Sequence, residues 1–466
     1  MKTVPLFIAA ILASAQLTAG AAVIGVVDSG VDLKHPNLNS KAWVNPGEIP
    51  NNMIDDEQDG YVDDIHGWNF VENNPILLDS KYLNTFPPET PRFFEIQKRL
   101  LEGTASDEDK AWLKETIENP EFRKKLNIFG NFVHGTHVAG IAARKNDAAE
   151  ILGIKMIPTE SPLAPDAAYG LSDNVKAARR FLANVWNTIW PVLRDTGIKA
   201  GLRKLAELQN EQFRKAALYL NDKNTDVANY SLGISTTAAG NLVKPILRVI
   251  YGRDATEDEI LQYSSYLVAR SAEQAEKWVS YAPNTLFVIA AGNDGTNNDE
   301  LPTSPANAKA ANTITVAATL GRTRLAQFSN FGRHMVEVAA PGVGITSEMP
   351  GGGELVLSGT SQASPYVAQV AAAIKDTNPD LEVYDLKRII IETVDKREWL
   401  ADKVKSSGIV NRDRAVFAAE LATKMSVTQA IKIALREVPD LETPYERVLS
   451  AEDESLIWAP ELSMGL

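Results

Sequence analysis

The sequence has no cysteine and only five histidines among 466 residues. The absence of cysteine excludes disulfide bonds, lipid-anchored thiols and cysteine-ligated zinc. Basic residues are outnumbered, since 47 Lys and Arg face 60 Asp and Glu and give a net charge of −13. This balance excludes nucleic acid and anionic membranes as partners, because phosphate contact needs clustered basic side chains. Beyond the N-terminus no apolar run could cross a bilayer, so we expect no membrane insertion.

The N-terminus is the most apolar part of the chain. Lys2 is followed by an apolar run from Val4 to Ala13 and by two small-residue cleavage sites. This pattern predicts a secretory signal peptide over residues 1–21, cut after Ala15 or Ala21. A buried first strand or helix is the alternative. A signal peptide predicts export to the periplasm or the extracellular space.

Short apolar runs rich in β-branched residues alternate with longer helical patterns. Near-continuous apolarity in strands separated by helices is typical of a parallel sheet covered on both faces, an α/β fold. In such sheets the chemistry lies beyond the carboxyl ends of the strands. Three runs end in unusual polar segments: Asp28-Ser29-Gly30, Ser231-Leu232-Gly233 and Gly292-Asn293-Asp294-Gly295. The six predicted strands cover residues 23–27, 151–157, 227–232, 285–291, 313–318 and 336–340.

Helical insertions separate these elements. We place them at about 71–130, 172–222 and 235–281, and a mixed tail without strong pattern at 423–466. The second insertion has apolar residues at helical spacing, which indicates core packing in preference to a substrate-binding surface. These are Phe181, Leu182, Val185, Trp186, Ile189, Trp190 and Leu193.

Two histidines lie three residues apart in NFVHGTHVAG, at His134 and His137. A zinc protease helix needs histidines at i and i+4 with a glutamate between them, so a zinc site is disfavoured. The segment instead predicts a helix that begins at His134 and packs through small residues against the sheet. His137, one turn later, is expected to be buried and hydrogen-bonded.

A histidine base requires a nucleophile and an orienting carboxylate. Asp28 ends an apolar strand and is the candidate carboxylate. Ser361 is the candidate nucleophile, because it lies in GTSQASP at a predicted helix N-terminus, where backbone N–H groups favour an oxyanion. Asn293 could donate its side-chain amide to that oxyanion. Each fragment alone is weak evidence, whereas the combination indicates a catalytic site.

These motifs, DSG at 28–30, HGTHVAG at 134–140 and GTSxASP at 359–365, resemble those of the subtilisin family, the subtilases. The resemblance covers about residues 22–422 and implies a three-layer α/β sandwich with a mostly parallel central sheet. It implies a serine endopeptidase acting on proteins or peptides through an acyl-enzyme, with Ser361 as nucleophile, His134 as base and Asp28 as orienter. Asn293 would complete the oxyanion hole. The residues expected to bind substrate are Ser231, Leu232, Gly233, Ala291 and Gly292.

The sequence departs from the family pattern in two ways. Gln362 follows the nucleophile where methionine is common, which should lower sensitivity to oxidants. Almost nothing separates Ala21 from the first strand, where the family usually has a pro-segment that assists folding. Either another segment or another protein assists folding, or the fold forms unaided. The predicted partners are a folding helper or an inhibitor protein, and the chain is expected to be a monomer. The rival hypothesis is a non-catalytic subtilase-like module whose insertions bind a partner.

An acidic stretch lies between Glu48 and Asp64. Asp55, Glu57, Asp59 and Asp63 approximate the alternating spacing of a calcium loop, although His66 stands where a bidentate glutamate would. We predict a structural calcium ion here, the alternative being a solvated acidic loop.

Overall fold

The computed structural model describes residues 21–160, 186–441 and 449–457. Nine strands of the main sheet follow the order β13-β14-β10-β8-β6-β4-β1-β3-β2, and β9 pairs with β8. Only the pairs β13–β14 and β8–β9 are antiparallel in this sheet, within the residues described. The strands are β1 Val23–Asp28, β2 Gly67–Asn69, β3 Glu150–Lys155, β4 Val227–Tyr230, β5 Ile234–Ser235, β6 Leu286–Ala290, β7 Thr303–Ser304, β8 Thr313–Leu320, β9 Arg324–Leu325, β10 Val338–Pro341, β11 Ile345–Glu348, β12 Glu354–Leu357, β13 Asp395–Lys396 and β14 Gly408–Ile409.

Five helices concern the site: the first insertion helix Glu89–Glu102, the second insertion helix Asp107–Glu118, the histidine helix Pro120–Ala143, the serine helix Thr360–Thr377 and the C-terminal helix Ala451–Ile457. The other α-helices span Ile198–Asp222, Thr236–Tyr251, Glu257–Val279, Val383–Glu392, Arg412–Ala422 and Val427–Glu437, residues 186–196 are also helical, and short 3-10 helices span Asn39–Lys41, Ser80–Tyr82 and Glu398–Leu400. None of the described helices combines the length and apolarity of a membrane span.

The sheet lies between two helical layers, as its alternating side chains require. On β1, Ile24 and Val26 pack in the cluster that contains the histidine and serine helices. Val23 and Val27 face the opposite cluster, with the helices Ile198–Asp222 and Glu257–Val279. The predicted three-layer α/β sandwich with a mostly parallel sheet is confirmed.

The histidine helix begins fourteen residues before His134, at Pro120. The Asn119 side chain caps it by accepting hydrogen bonds from the N–H groups of Glu121 and Phe122, and Pro120 suits the first helical turn. No proline follows Pro120 within the helix, so the helix continues through Ala143. The prediction that it begins at His134 is wrong. The end of the first insertion therefore forms one continuous helix with the segment that contains His134 and His137.

The insertion helices bury the side chains that the periodicity places inside. Ile189 and Leu193 are 3% and 5% exposed in a cluster formed with the three helices that follow, so the core-packing interpretation is confirmed for them. Trp186 is 37% exposed and stacks on Trp190 with ring centroids 5.3 Å apart. The rest of that predicted stripe, Phe181, Leu182 and Val185, lies outside the described residues, as do residues 1–20 of the predicted signal peptide.

The tail from 423 onward has more structure than its mixed pattern predicts. It contains the helix Val427–Glu437 and the C-terminal helix. The C-terminal helix packs on the first and second insertion helices, more than 330 residues earlier in the chain. Amphipathic contacts of such long sequence separation leave little trace in a local pattern.

His137 is fully buried, and its Nε2 lies 3.1 Å from the Ile345 carbonyl oxygen and 3.0 Å from that of Leu355. A nitrogen between two acceptors carries the hydrogen, so the neutral ring donates from Nε2. The expected buried, hydrogen-bonded histidine is confirmed. Burial lowers the pKa of His137 from 6.5 to about 3.

The depressed pKa of His137 predicts acid sensitivity of the fold. Between pH 6.5 and 3 the unfolded chain binds a proton that the folded chain does not, so the free energy of unfolding should fall as pH falls, by at most about 1.4 kcal/mol per pH unit. Chemical denaturation of His137→Gln across this range should give a shallower dependence than the unaltered protein. The exposed His334→Gln is the control, and parallel curves for all three proteins would contradict the assignment.

Candidate functional site

The polar segments predicted at strand ends meet at the carboxyl edge of the sheet. Asp28 is the last residue of β1, Ser231 follows β4 and Asn293 follows β6 by three residues. These three strands are parallel neighbours, since β4 lies between β1 and β6. Residues far apart in sequence therefore reach one edge, as the fold class requires.

Asp28 and His134 form a buried pair. The His134 Nδ1 lies 2.7 Å from the Asp28 Oδ1, and the two residues are 4% and 0% exposed. The Ser29 N–H donates to the same oxygen at 2.7 Å and holds the carboxylate. Because the carboxylate accepts from Nδ1, the neutral ring presents an unprotonated Nε2, which has no hydrogen-bond partner among the described residues.

Ser361 lies in the first turn of the serine helix, after the extended Gly359. Its hydroxyl donates to the Ser231 carbonyl oxygen at 3.2 Å, and the Ser231 hydroxyl donates to the Ser361 carbonyl oxygen at 2.9 Å. The structure thus brings Ser361 and His134 to one cavity without a bond between them. Catalytic hydrogen bonds often tighten only when substrate binds.

The Asn293 side chain is held in one orientation. Its Oδ1 accepts from the Thr360 N–H at 2.8 Å and from the Thr360 hydroxyl at 2.9 Å. The Gly292 N–H donates to that hydroxyl at 3.2 Å, with Gly292 at φ +109°, which favours glycine. With its oxygen engaged, Asn293 keeps the Nδ2 hydrogens as donors beside Ser361.

A cavity of about 140 Å³ contains these side chains. Four of the five predicted substrate-binding residues line this cavity. Ala291 does not, because it is fully buried, and its carbonyl oxygen accepts a hydrogen bond from the Asn298 side-chain amide at 2.9 Å. Sequence reasoning missed part of the lining, which comes from the first insertion helix, the start of the histidine helix and the C-terminal helix. The cavity is lined by Phe94, Gln97, Leu126, Asn127, Gly130, His134, Ser231, Leu232, Gly233, Ser235, Ala238, Ala290, Gly292, Asn293, Asp294, Thr303, Leu357, Ser358, Gly359, Thr360, Ser361, Gln362 and Ile457.

The acidic loop contains an internal cation that the sequence did not reveal. Lys223 places its Nζ 2.6 Å from a Glu57 oxygen, 2.5 Å from Asp59 and 3.4 Å from Asp64. Burial lowers the pKa of Lys223, but the Asp59 and Glu57 carboxylates raise it well above its usual value. Lys223 therefore neutralises part of the charge that predicted calcium.

The remaining carboxylates of the loop differ in their partners. Asp63 accepts from the Asn52 and Met53 N–H groups at 3.2 and 3.0 Å, and it belongs to neither metal-compatible group among the described residues. Glu48, Asp55 and Glu57 form a group whose oxygens lie within 4.8 Å of one another. Burial and the neighbouring Glu57 raise the pKa of Glu48 to about 7. This group fits a hard cation better than the set that includes Asp63.

Comparison with known proteins gives the family. A profile described as the subtilase family matches residues 20–414. Subtilisin-like protease 7 of Trichophyton equinum is 55% identical over 87 residues, 19% of this chain and 20% of that protein. Alkaline elastase YaB of Bacillus sp. (strain YaB) is 36% identical over 135 residues, 29% of this chain and 33% of that protein. The chain thus matches a third or less of the length of these relatives.

The crystal structure of a cold adapted subtilisin-like serine proteinase aligns with 84% of this chain and 91% of its own, at 18% identity and a TM-score of 0.41. The family profile covers most of the chain, including all three sequence motifs. The protein belongs to the subtilase family of serine proteases.

Proposed function

We propose that the protein is an active serine endopeptidase with Ser361 as nucleophile, His134 as general base and acid, and Asp28 as its orienting carboxylate. The observation that carries the proposal is the buried Asp28–His134 pair, 2.7 Å apart, in one cavity with a serine at a helix N-terminus. His134 lines that cavity, and its Nε2 has no partner among the described residues, which is the tautomer that a base requires.

The reaction begins when the Ser361 hydroxyl turns from the Ser231 carbonyl to the Nε2 of His134. Oγ attacks the scissile carbonyl carbon as its proton passes to Nε2, and Asp28 stabilises the resulting imidazolium. The oxyanion accepts hydrogen bonds from the Asn293 Nδ2 and the Ser361 N–H. The C–N bond breaks as His134 protonates the departing amine. His134 then accepts a proton from water as the water attacks the acyl-enzyme, and it passes that proton to the Ser361 Oγ as the ester bond breaks.

The proposed substrates are proteins or peptides, and the proposed location is the periplasm or the extracellular space. Export rests on the N-terminal pattern of residues 1–21 and the cutting sites after Ala15 or Ala21. The monomeric state and the folding helper or inhibitor protein stay predictions. Labelling by a fluorophosphonate probe separates the enzyme from the rival binding module, because the probe reacts only with an activated hydroxyl.

Ser361→Ala should abolish peptide hydrolysis without unfolding the protein, because the change removes the nucleophile and only one buried oxygen atom. His134→Ala should do the same. Release of a fluorophore from a quenched peptide measures activity, and circular dichroism checks the fold. Ser80→Ala, an exposed serine outside the cavity, is the control and should keep full activity. Hydrolysis near the unaltered rate in Ser361→Ala would rule out the proposed triad.

Asn293→Ala should lower kcat by about a hundredfold or more, the cost found when such a donor is removed from a subtilisin. KM should change little, because the amide serves charge that develops only in the transition state. Steady-state kinetics on one peptide substrate separates the two constants. A rise in KM at constant kcat would make Asn293 a ground-state binding residue.

We also propose a structural calcium ion held by Glu48, Asp55 and Glu57, where it would neutralise three converging carboxylates. In the Ser361→Ala background, which avoids self-digestion, excess calcium should raise the melting temperature relative to chelator. Asp55→Asn should abolish that difference, whereas the fully exposed Asp147→Asn should preserve it. Identical melting curves with calcium and with chelator would contradict the calcium site and would mean that Lys223 alone neutralises the loop.

A further inference from the structure

One wall of the cavity comes from segments that surround the start of the histidine helix. Phe94 and Gln97 belong to the first insertion helix, Leu126 and Gly130 to the histidine helix, and Ile457 ends the C-terminal helix. Phe94, Leu126 and Ile457 are 5%, 1% and 5% exposed, so they are fixed by packing. Such a wall offers shape and apolar surface beside the reactive groups.

The wall has two polar side chains, the exposed Asn127 and the buried Gln97. The Gln97 Nε2 donates to the carbonyl oxygens of Leu456 and Ile457 at 3.0 and 2.9 Å. These carbonyls belong to the last two described residues of the C-terminal helix. Gln97 therefore ties Ile457 to the first insertion helix and spends its amide hydrogens in doing so.

Ion pairs hold the other side of the C-terminal helix. Lys110 lies 2.5 Å from Asp453, whose side chain is 7% exposed, and Lys114 lies 2.6 Å from Glu452. Both lysines belong to the second insertion helix, so the C-terminal helix contacts both insertion helices. The position of Ile457 at the cavity is thus set by contacts at two places along a short helix.

Part of the wall lies on the same helix as His134. Gly130 and Leu126 precede His134 by four and eight residues, about one and two turns along the same helix face. In the proposed reaction His134 protonates the departing amine, so the residue after the scissile bond lies towards His134. The acyl half lies towards Asn293 and Ser231.

Gly130 opens this part of the cavity. A Cβ built on Gly130 would meet no atom within 4 Å outside its own helix turn, although the residue lines the cavity. The helix interior usually disfavours glycine by about 1 kcal/mol relative to alanine. The absence of a side chain at Gly130 therefore leaves open space beside the wall.

We propose that Phe94, Leu126, Gly130 and Ile457 form a subsite for an apolar side chain on the residue immediately after the scissile bond. The inference rests on the proposed function and deepens it, because it names the substrate feature this chain's insertions select. The C-terminal helix is a part of the substrate site in this arrangement.

Partition of one acyl-enzyme between added nucleophiles tests the subsite. A peptide ester acylates Ser361, and leucinamide, phenylalaninamide and glycinamide then compete with water for the acyl group. Burial of a leucine side chain predicts that leucinamide reacts at least about tenfold better than glycinamide. The ratio of amide products compares nucleophiles on one acyl-enzyme, so it does not depend on how much acyl-enzyme forms.

Two substitutions should shift this ratio in opposite directions. Gly130→Val fills the open space without backbone strain and should reduce the preference for leucinamide over glycinamide several-fold. Ile457→Ala enlarges the subsite and should favour phenylalaninamide over leucinamide. Glu95→Gln, on the exposed face of the first insertion helix, is the control and should leave both ratios unchanged.

The placement of the C-terminal helix can be tested by exchanging charges. Lys110→Glu should weaken the leucinamide preference by loosening the helix, and Lys110→Glu with Asp453→Lys should restore it. Circular dichroism and melting curves establish that each variant folds.

Equal reactivity of leucinamide and glycinamide in the unaltered protein would overturn the subsite, as would unchanged ratios in Gly130→Val and Ile457→Ala. Either result could occur with ester hydrolysis intact, so the proposed function would survive. Absence of ester hydrolysis and of fluorophosphonate labelling in the unaltered protein would overturn the proposed function, and the subsite with it.

Discussion

The contact between the histidine helix and the loop after β1 is the constraint on which the site depends. A Cβ on Gly135 would lie 2.1 Å from the carbonyl oxygen of Gly30, a distance no side chain tolerates. Glycine allows the helix to approach that closely, and the Gly135 N–H then donates to the Ser29 hydroxyl at 3.1 Å. The approach places His134 within hydrogen-bonding distance of Asp28, 106 residues earlier. Replacing Gly135 by a larger residue would move His134 away from Asp28, although neither His134 nor Asp28 is altered.

The carboxyl edge of the sheet explains why short sequence motifs were enough to predict the position of the site residues. Asp28 and Ser361 are each placed by local structure, one by a strand end and the other by a helix start, and both lie at the edge where parallel strands finish. A short motif is enough to fix such a residue, because its neighbours in sequence are its neighbours in space. For this reason the sheet, the buried His137 and the convergence of the polar segments could be predicted from the sequence.

What could not be predicted depends on contacts between distant segments. The continuous histidine helix begins at the Asn119 cap, which lies in the segment assigned to the first insertion. The HGTHVAG motif alone gives no indication that the helix extends upstream of it. Lys223 pairs with the acidic loop although it lies 159 residues after Asp64. The sequence of the loop itself gives no indication of this partner. Ala291 is the opposite case, because it is adjacent to cavity residues in sequence yet is fully buried just after β6.

The two ways of building the cavity have different physical consequences. The catalytic half is fixed by a parallel sheet whose strands are buried on both faces, so its geometry is as rigid as the core. In the half formed by the insertions, Phe94, Leu126 and Ile457 are buried in the core, but the seven-residue C-terminal helix is also held by a glutamine and two ion pairs that are individually modest and partly exposed. In the proposed function, the chemistry therefore lies where the structure is least able to change. The proposed subsite lies on elements that can vary in length and sequence without moving Asp28, His134 or Ser361.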